Sequence, residues 1–147
     1  MSQFNSNVLR IFGGMPTGDV SVQQAGGPTN QAVPEQLASG ADYRRAFMGP
    51  KAGGHFSLNV FVDQAGGAGS TLTVWYSNLP NPSVADDTAW TQDATIGALD
   101  LTSTANKFTN VGNVNAEWVM LKAHIATSQC NMRAFVRVEG TTHGKMG

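Results

Sequence analysis

The sequence predicts an all-β protein, an antiparallel sandwich of about eight strands with almost no helix. Three observations lead there. Apolar and polar residues alternate with period two, most clearly along Phe56, Leu58, Val60 and Val62 and along Leu72, Val74 and Tyr76. These runs are rich in β-branched and aromatic residues and are bounded by Gly, Pro and Asn clusters. A chain of 147 residues is also the size of one domain, able to bury roughly 68–70% of its unfolded surface.

In chain order, residues 1–40 stand apart as an extended N-terminal arm. Gly13, Gly14, Gly18, Gly26, Gly27 and Gly40 and Pro16, Pro28 and Pro34 leave only short apolar groups such as Val8, Leu9, Ile11 and Phe12, too few for an independent core. Residues 8–12 can supply a short strand. Residues 33–38 (VPEQLA) can make one helical turn with Pro34 at its first position. The sandwich is expected over 41–140, followed by a tail over 141–147. Because the arm has few large apolar groups, the sandwich is expected to hold its core without it.

From Asp42 the period is two. Tyr43, Arg45 and Phe47 alternate with Arg44, Ala46 and Met48, and Gly49-Pro50 stops the run. The strand of Phe56 to Val62 follows, then AGGAG at 65–69, then the strand of Leu72 to Tyr76; these two are expected to form a hairpin. The stretch from Ser70 to Gln92 organises the chain, since Pro80 and Pro82 cannot donate to a ladder and force a long excursion before Trp90 returns to packed structure. Short strands are expected near 97–102, with Gly97 a possible bulge, and over 107–111. The last pair, 117–127 and 132–139, reads as a second hairpin with Thr127 opposite Met132. In that register Val119, Leu121 and Ile125 share the apolar face with Ala134, Val136 and Val138. The other face then carries Lys122 across from Arg137, His124 across from Phe135 and Met120 across from Glu139, with Trp118 and Arg133 at the ends. Trp118, Met120, Lys122, Arg133, Phe135 and Arg137 form the aromatic, Met and cation mix enriched at interfaces. With Val8, Leu9, Ile11 and Phe12 of the arm they are the candidate interface.

Composition narrows the function. Nine basic against ten acidic residues leave a net charge of −1, which gives no general drive toward nucleic acid or an anionic membrane. Charged residues are 13% of the chain against a typical figure of about 25%, so the surface is neutral and polar. Cys130 stands alone, so no internal disulfide is expected. No apolar run has the length of a signal peptide or a membrane span. His55, His124 and His143 are too dispersed for a local metal motif, and His-Glu-x-x-His, Cys-x-x-Cys and Gly-x-Ser-x-Gly are absent. Asp86-Asp87 could help hold Ca²⁺, but adjacent acids more often cap a turn. No enzyme, metal or cofactor is expected.

The segments TLTVWYSNLPNP, DDTAW, GALDLT, FTNVGNVNAEWV and RVEG resemble, in the same order, a recurrent pattern of small β-sandwich virion proteins of tailed bacteriophages. The likeness spans 55–140. It implies a jelly-roll-like sandwich that coats a particle, as capsid decoration (cement) proteins do, often as homotrimers between capsomers. The partner would be the major capsid protein, and the location the capsid surface after synthesis in the host cytoplasm. The alternative is a carbohydrate-binding module of a phage tail or fibre, with Trp75, Tyr76 or Trp90 stacking on sugar rings beside Asp86-Asp87. An exposed flat aromatic beside polar groups would favour that alternative.

Overall fold

The computed structural model describes residues 8–13, 33–50 and 53–139, and alternation becomes ten strands among them. They are β1 (Val8–Phe12), β2 (Glu35–Leu37), β3 (Ala41–Met48), β4 (Gly54–Gln64), β5 (Thr71–Ser77), β6 (Thr91–Gln92), β7 (Leu99–Asp100), β8 (Asn106–Val114), β9 (Trp118–Ile125) and β10 (Cys130–Glu139). One 3₁₀ turn, Asp87–Ala89, is the helical element among the described residues. Sheet A runs β1-β10-β4-β8, with β2 also on β10. Sheet B runs β3-β9-β5-β6, with β7 also on β5. All pairings are antiparallel. The chain changes sheet at each step from β3 to β5 and again from β8 to β10, which gives the jelly-roll order of an eight-stranded double sheet.

The inner faces follow the sequence alternation. Phe56, Leu58, Val60 and Val62 of β4 and Leu72 and Val74 of β5 are buried, as are Val119, Leu121 and Ile125 of β9 and Met132, Ala134 and Val136 of β10. Tyr76 and Val138 pack against this core partly buried. Burying each large apolar side chain is worth about 1.5–3 kcal/mol, so the alternation alone strongly favours these faces.

The strand partners differ from expectation. β4 and β5 do not form a hairpin, and neither do β9 and β10; each pair is split between the two sheets. The connections over 65–70 and 126–129 arch from one sheet to the other. Facing residues across a core share an apolar face just as hairpin neighbours do, so parity fixes the inward side and leaves the partner open. The two arches lock together. Buried Ser70 donates through Oγ to the Gly66 carbonyl at 2.6 Å and accepts from Ala126 N–H at 2.9 Å, and Ser128 N–H donates to the Gly66 carbonyl at 3.1 Å. Gly67 sits at φ +81° with Thr127 Oγ1 2.2 Å from where a Cβ would stand, so only glycine fits.

Residues of the expected arm belong to sheet A. β1 pairs with β10 and places Phe12 in the core with no exposed surface. Over 33–38 the chain forms β2 in place of a helical turn: Leu37 pairs with Cys130 and is fully buried, and this packing outweighs the local helical signal. Residues 1–7 and 14–32 of the arm, and the expected tail over 141–147, lie outside the described residues.

Arg45 secures this edge. It lies on the inward side of β3 with Tyr43 and Phe47, yet it is satisfied: its guanidinium binds Glu35 through two bonds of 2.7 and 2.6 Å, donates to the Ile11 carbonyl at 3.0 Å, and stacks 4.5 Å from the Phe12 ring centroid. Gly13 N–H also donates to Glu35 Oε1 at 3.0 Å. A core role for β1 predicts that Phe12→Ala costs about 3–5 kcal/mol, the range expected for Phe56→Ala. Urea denaturation of both variants measures it, and a loss under about 1 kcal/mol for Phe12→Ala would mean that β1 is dispensable.

Candidate functional site

Three surfaces were candidates for chemistry or recognition. The expected interface is divided between two of them. Trp118, Met120 and Lys122 lie on the outer face of sheet B, whereas Arg133, Phe135 and Arg137 lie on the outer face of sheet A, with the core between. Lys122 faces Arg44 and Thr73, Met120 faces Ala46 and Trp75, and His124 faces Asp42 and Thr71. Arg137 faces Ser57 and Val8, Phe135 faces Asn59 and Arg10, and Glu139 faces His55. The expected juxtapositions Lys122/Arg137, His124/Phe135 and Met120/Glu139 therefore do not exist, because they assumed the hairpin that the arch replaces.

On the outer face of sheet B the charged groups are largely paired within the chain, whereas the buried Trp118 Nε1 has no hydrogen-bond partner and Met48 is exposed. The Pro/Asn loop brings Asp87 over the cations, within 3.4 Å of Arg44 Nε and 3.2 Å of Lys122 Nζ. Lys122, through its hydrogen bond, then holds the Asp87 carboxyl below the usual range. Lys122 also lies 5.1 Å over the Trp75 ring, and Met120 is fully buried between Ala46 and Trp75. Asp86 caps the 3₁₀ turn by accepting from Thr88 N–H and Oγ1–H at 3.0 and 2.6 Å. The acidic pair thus serves capping and ion pairing, and no cluster of three His, Cys, Asp or Glu able to hold a metal occurs among the described residues.

Sheet A presents an aromatic outer face. Phe61 and Phe135 meet edge to face at 6.0 Å, and Arg133 stacks 4.7 Å over Phe61 while its Nε and NH2 bind Asp63 at 3.1 and 3.0 Å. Phe108 lies in the row of Asn59, Phe135 and Arg10 and is 62% exposed. Sequence reading missed Phe61 and Phe108. The signal was there for Phe61, whose odd number sets it outward with Ser57, Asn59 and Asp63, while the even core positions alternate around it. Of the arm residues, Val8 neighbours Arg137, Leu9 is partly exposed, and Ile11 and Phe12 pack on the core.

The third surface is a cleft of about 830 Å³ where the last strands of the sheets part, between β5–β6 with the following turn and the β8–β9 turn. Its apolar walls include Tyr76, Leu79, Trp90, Ile96 and Val111; its polar groups include Asn78, Thr88, Thr91, Thr95, Asn113 and Asn115. Asp93 is buried there, accepting from Tyr76 Oη–H at 2.5 Å and from Thr95 and Ile96 N–H at 2.6 and 2.9 Å. Burial pushes its carboxyl up, but these three bonds outweigh burial and hold it below the ordinary range. Burial and the Asp93 charge drive the Tyr76 hydroxyl the other way, well above its usual value. Trp90 is buried and donates through Nε1 to the Ser83 carbonyl at 2.9 Å. Trp75, Tyr76 and Trp90 are therefore all engaged within the protein, and none forms the open platform expected beside Asp86-Asp87. Buried Cys130 has its thiol pushed up to about 11, first by burial and then by Asp63, which keeps it protonated and a poor nucleophile at neutral pH.

No protein-family model and no curated protein matches the sequence. Among solved structures, the chain is similar to part of tripeptidyl peptidase 2, with a TM-score of 0.52 at 11% identity over 94% of this chain; it spans 10% of that protein's length. A family 35 carbohydrate binding module from an environmental isolate aligns over 93% of this chain and 90% of its own at 20% identity, with a TM-score of 0.43. At 11% identity, the likeness to the peptidase segment is one of fold alone.

Two carboxylates set an acid limit. The hydrogen bond with Arg45 holds Glu35 below its ordinary 4.5, and Asp93 lies below 3.8. The unfolded chain therefore binds protons that the native state does not, and the stability these groups add is complete above about pH 5 and lost as pH falls through their lowered native values. The urea midpoint should fall between about pH 6 and pH 3, and Glu35→Gln should flatten part of that slope. An unchanged slope in Glu35→Gln would mean that the Arg45 pair adds no net stability.

Proposed function

We propose that this chain is a structural virion protein of a tailed bacteriophage, a decoration or cement protein that acts without catalysis or cofactor. It docks on the major capsid protein through the outer face of sheet A and works as a homotrimer on the capsid surface. The observation that carries this reading is the exposed Phe108 beside the Phe61–Phe135 pair, flanked by Arg10, Arg133 and Arg137. Aromatic and arginine groups of this kind supply binding energy when a partner covers them. The order of sequence segments that resembles phage virion proteins supports this class of particle, and the near-neutral charge suits a protein whose working state is an assembly. The opposite outer face contributes less to docking, because Asp42 and Asp87 already pair with Arg44 and Lys122.

Sedimentation with particles lacking the protein tests the reading. Phe108→Glu should keep the wild-type melting temperature, because the side chain is mostly in solvent, and should weaken co-sedimentation by at least about tenfold, as burying a carboxylate in a docked face costs more than 1.4 kcal/mol. Full binding by Phe108→Glu would move docking off this face. Absence of wild-type binding to capsids, with binding to isolated tails, would replace decoration by a tail role.

A further inference from the structure

We propose that the cleft between β6 and the β8–β9 turn binds a neutral carbohydrate, a polyhydroxylated ligand without formal charge. This goes beyond the assembly role and does not depend on it. The cleft falls in the roughly 300–1,000 Å³ range of small-ligand sites and joins apolar walls to convergent polar groups. The choice of ligand follows from the chemistry of those groups. Asn78, Asn113, Thr91 and Thr95 present amides and hydroxyls, each able to donate and accept, which matches the dual character of a sugar hydroxyl. Leu79, about half exposed, and partly buried Ile96 offer apolar surface to the C–H groups of a sugar ring.

Charge excludes the alternatives. Among the described residues, Asp93 is the only carboxylate or cation lining the cleft, and its oxygens are already committed to Tyr76, Thr95 and Ile96. Among those residues no Lys or Arg lines the cleft to recognise a phosphate or a carboxylate. Asn78 uses Oδ1 to accept from Glu117 N–H at 2.7 Å, which fixes the amide while leaving its N–H groups to donate. Asn113 is the one non-glycine residue with positive φ among the described residues, at +58°. Glycine would adopt that backbone without strain, so an amide held there, in the cleft wall and without a side-chain hydrogen bond of its own, is placed where a ligand can use it.

Titration of the ¹⁵N-labelled full chain tests the proposal. The probes are maltotriose, cellotriose, mannotriose and a β1,4-linked N-acetylglucosamine trimer, with a galacturonic acid trimer as the charged counterpart. At least one neutral trisaccharide should shift the amides of residues 76–79, 88–96 and 110–116 in a saturable way. Asn113→Gly, which keeps the backbone conformation, and Thr95→Val, which keeps the shape, should each weaken that binding about tenfold. Both variants should melt like the wild type. Silence from all four neutral sugars at about 10 mM, equal or tighter binding of the acidic trimer, or shifts centred on Phe61, Phe108 and Phe135, would overturn the proposal. If Phe108→Glu loses the particle but keeps the sugar, the two sites are separate.

Discussion

A single guanidinium closes the sandwich on one side. Arg45 occupies an inward position of β3, where an apolar residue would be expected, and it reaches across the core edge to the Glu35 carboxylate and the Ile11 carbonyl of the facing sheet. Five N–H donors in a rigid fork let one side chain hold β1, β2 and β3 together while its flat face covers Phe12. It adds a cross-sheet anchor to the β10 pairing of the N-terminal strands, beside the Tyr43 hydroxyl, which donates to the Ala38 carbonyl at 3.0 Å. On the far side β6 and β7 are two residues long, and beside β6 the sheets part into the cleft, which is bridged by Glu117 N–H donating to Asn78 Oδ1. Closure at one edge and opening at the other give the molecule a sealed side and an accessible one.

The two broad faces differ in how far they meet their own needs. Sheet B turns the Asp87 loop back over Arg44 and Lys122 and adds Asp42 beside them, so these two cations meet two carboxylates within the chain. Sheet A leaves Phe108 in solvent and has Arg133 matched to Asp63 but stacked flat on Phe61. An apolar strip framed by cations loses little on being covered, since the guanidinium is weakly hydrated and its carboxylate partner comes with it.

Most of the fold was legible because burial acts residue by residue. The period-two runs placed Phe56 through Val62, Leu72, Val74 and the inward residues of β9 and β10 correctly, since each position's exposure depends on its own side chain. Strand pairing was not legible, because the arches at 65–70 and 126–129 satisfy the same parity as hairpins. What separates the two cases is the Ser70 bonding that ties one arch to the other, a contact across 56 residues. β2 was missed for the same reason: Pro34 and Glu35 read locally as a helix start, while Arg45 and β10 decide the outcome from a distance. The cleft drew no attention in the sequence because its polar groups come from the loop after β5, from β6 and the turn after it, and from β8 with the β8–β9 turn, and have no spacing in common.

β10 is the shared partner of β1, β2 and β4. During synthesis the N-terminal strands of sheet A must wait, unpaired, until Cys130–Glu139 has left the ribosome, about 120 residues after β1. At roughly 5–20 residues per second that is a delay of about 6–24 s. β1 and β2 are short and, by themselves, poor templates for edge pairing, and the segment that follows Phe12 is rich in Gly and Pro. The low apolar content of the first forty residues therefore has a kinetic use: it limits self-association of nascent chains while the strand that completes their sheet is still being made.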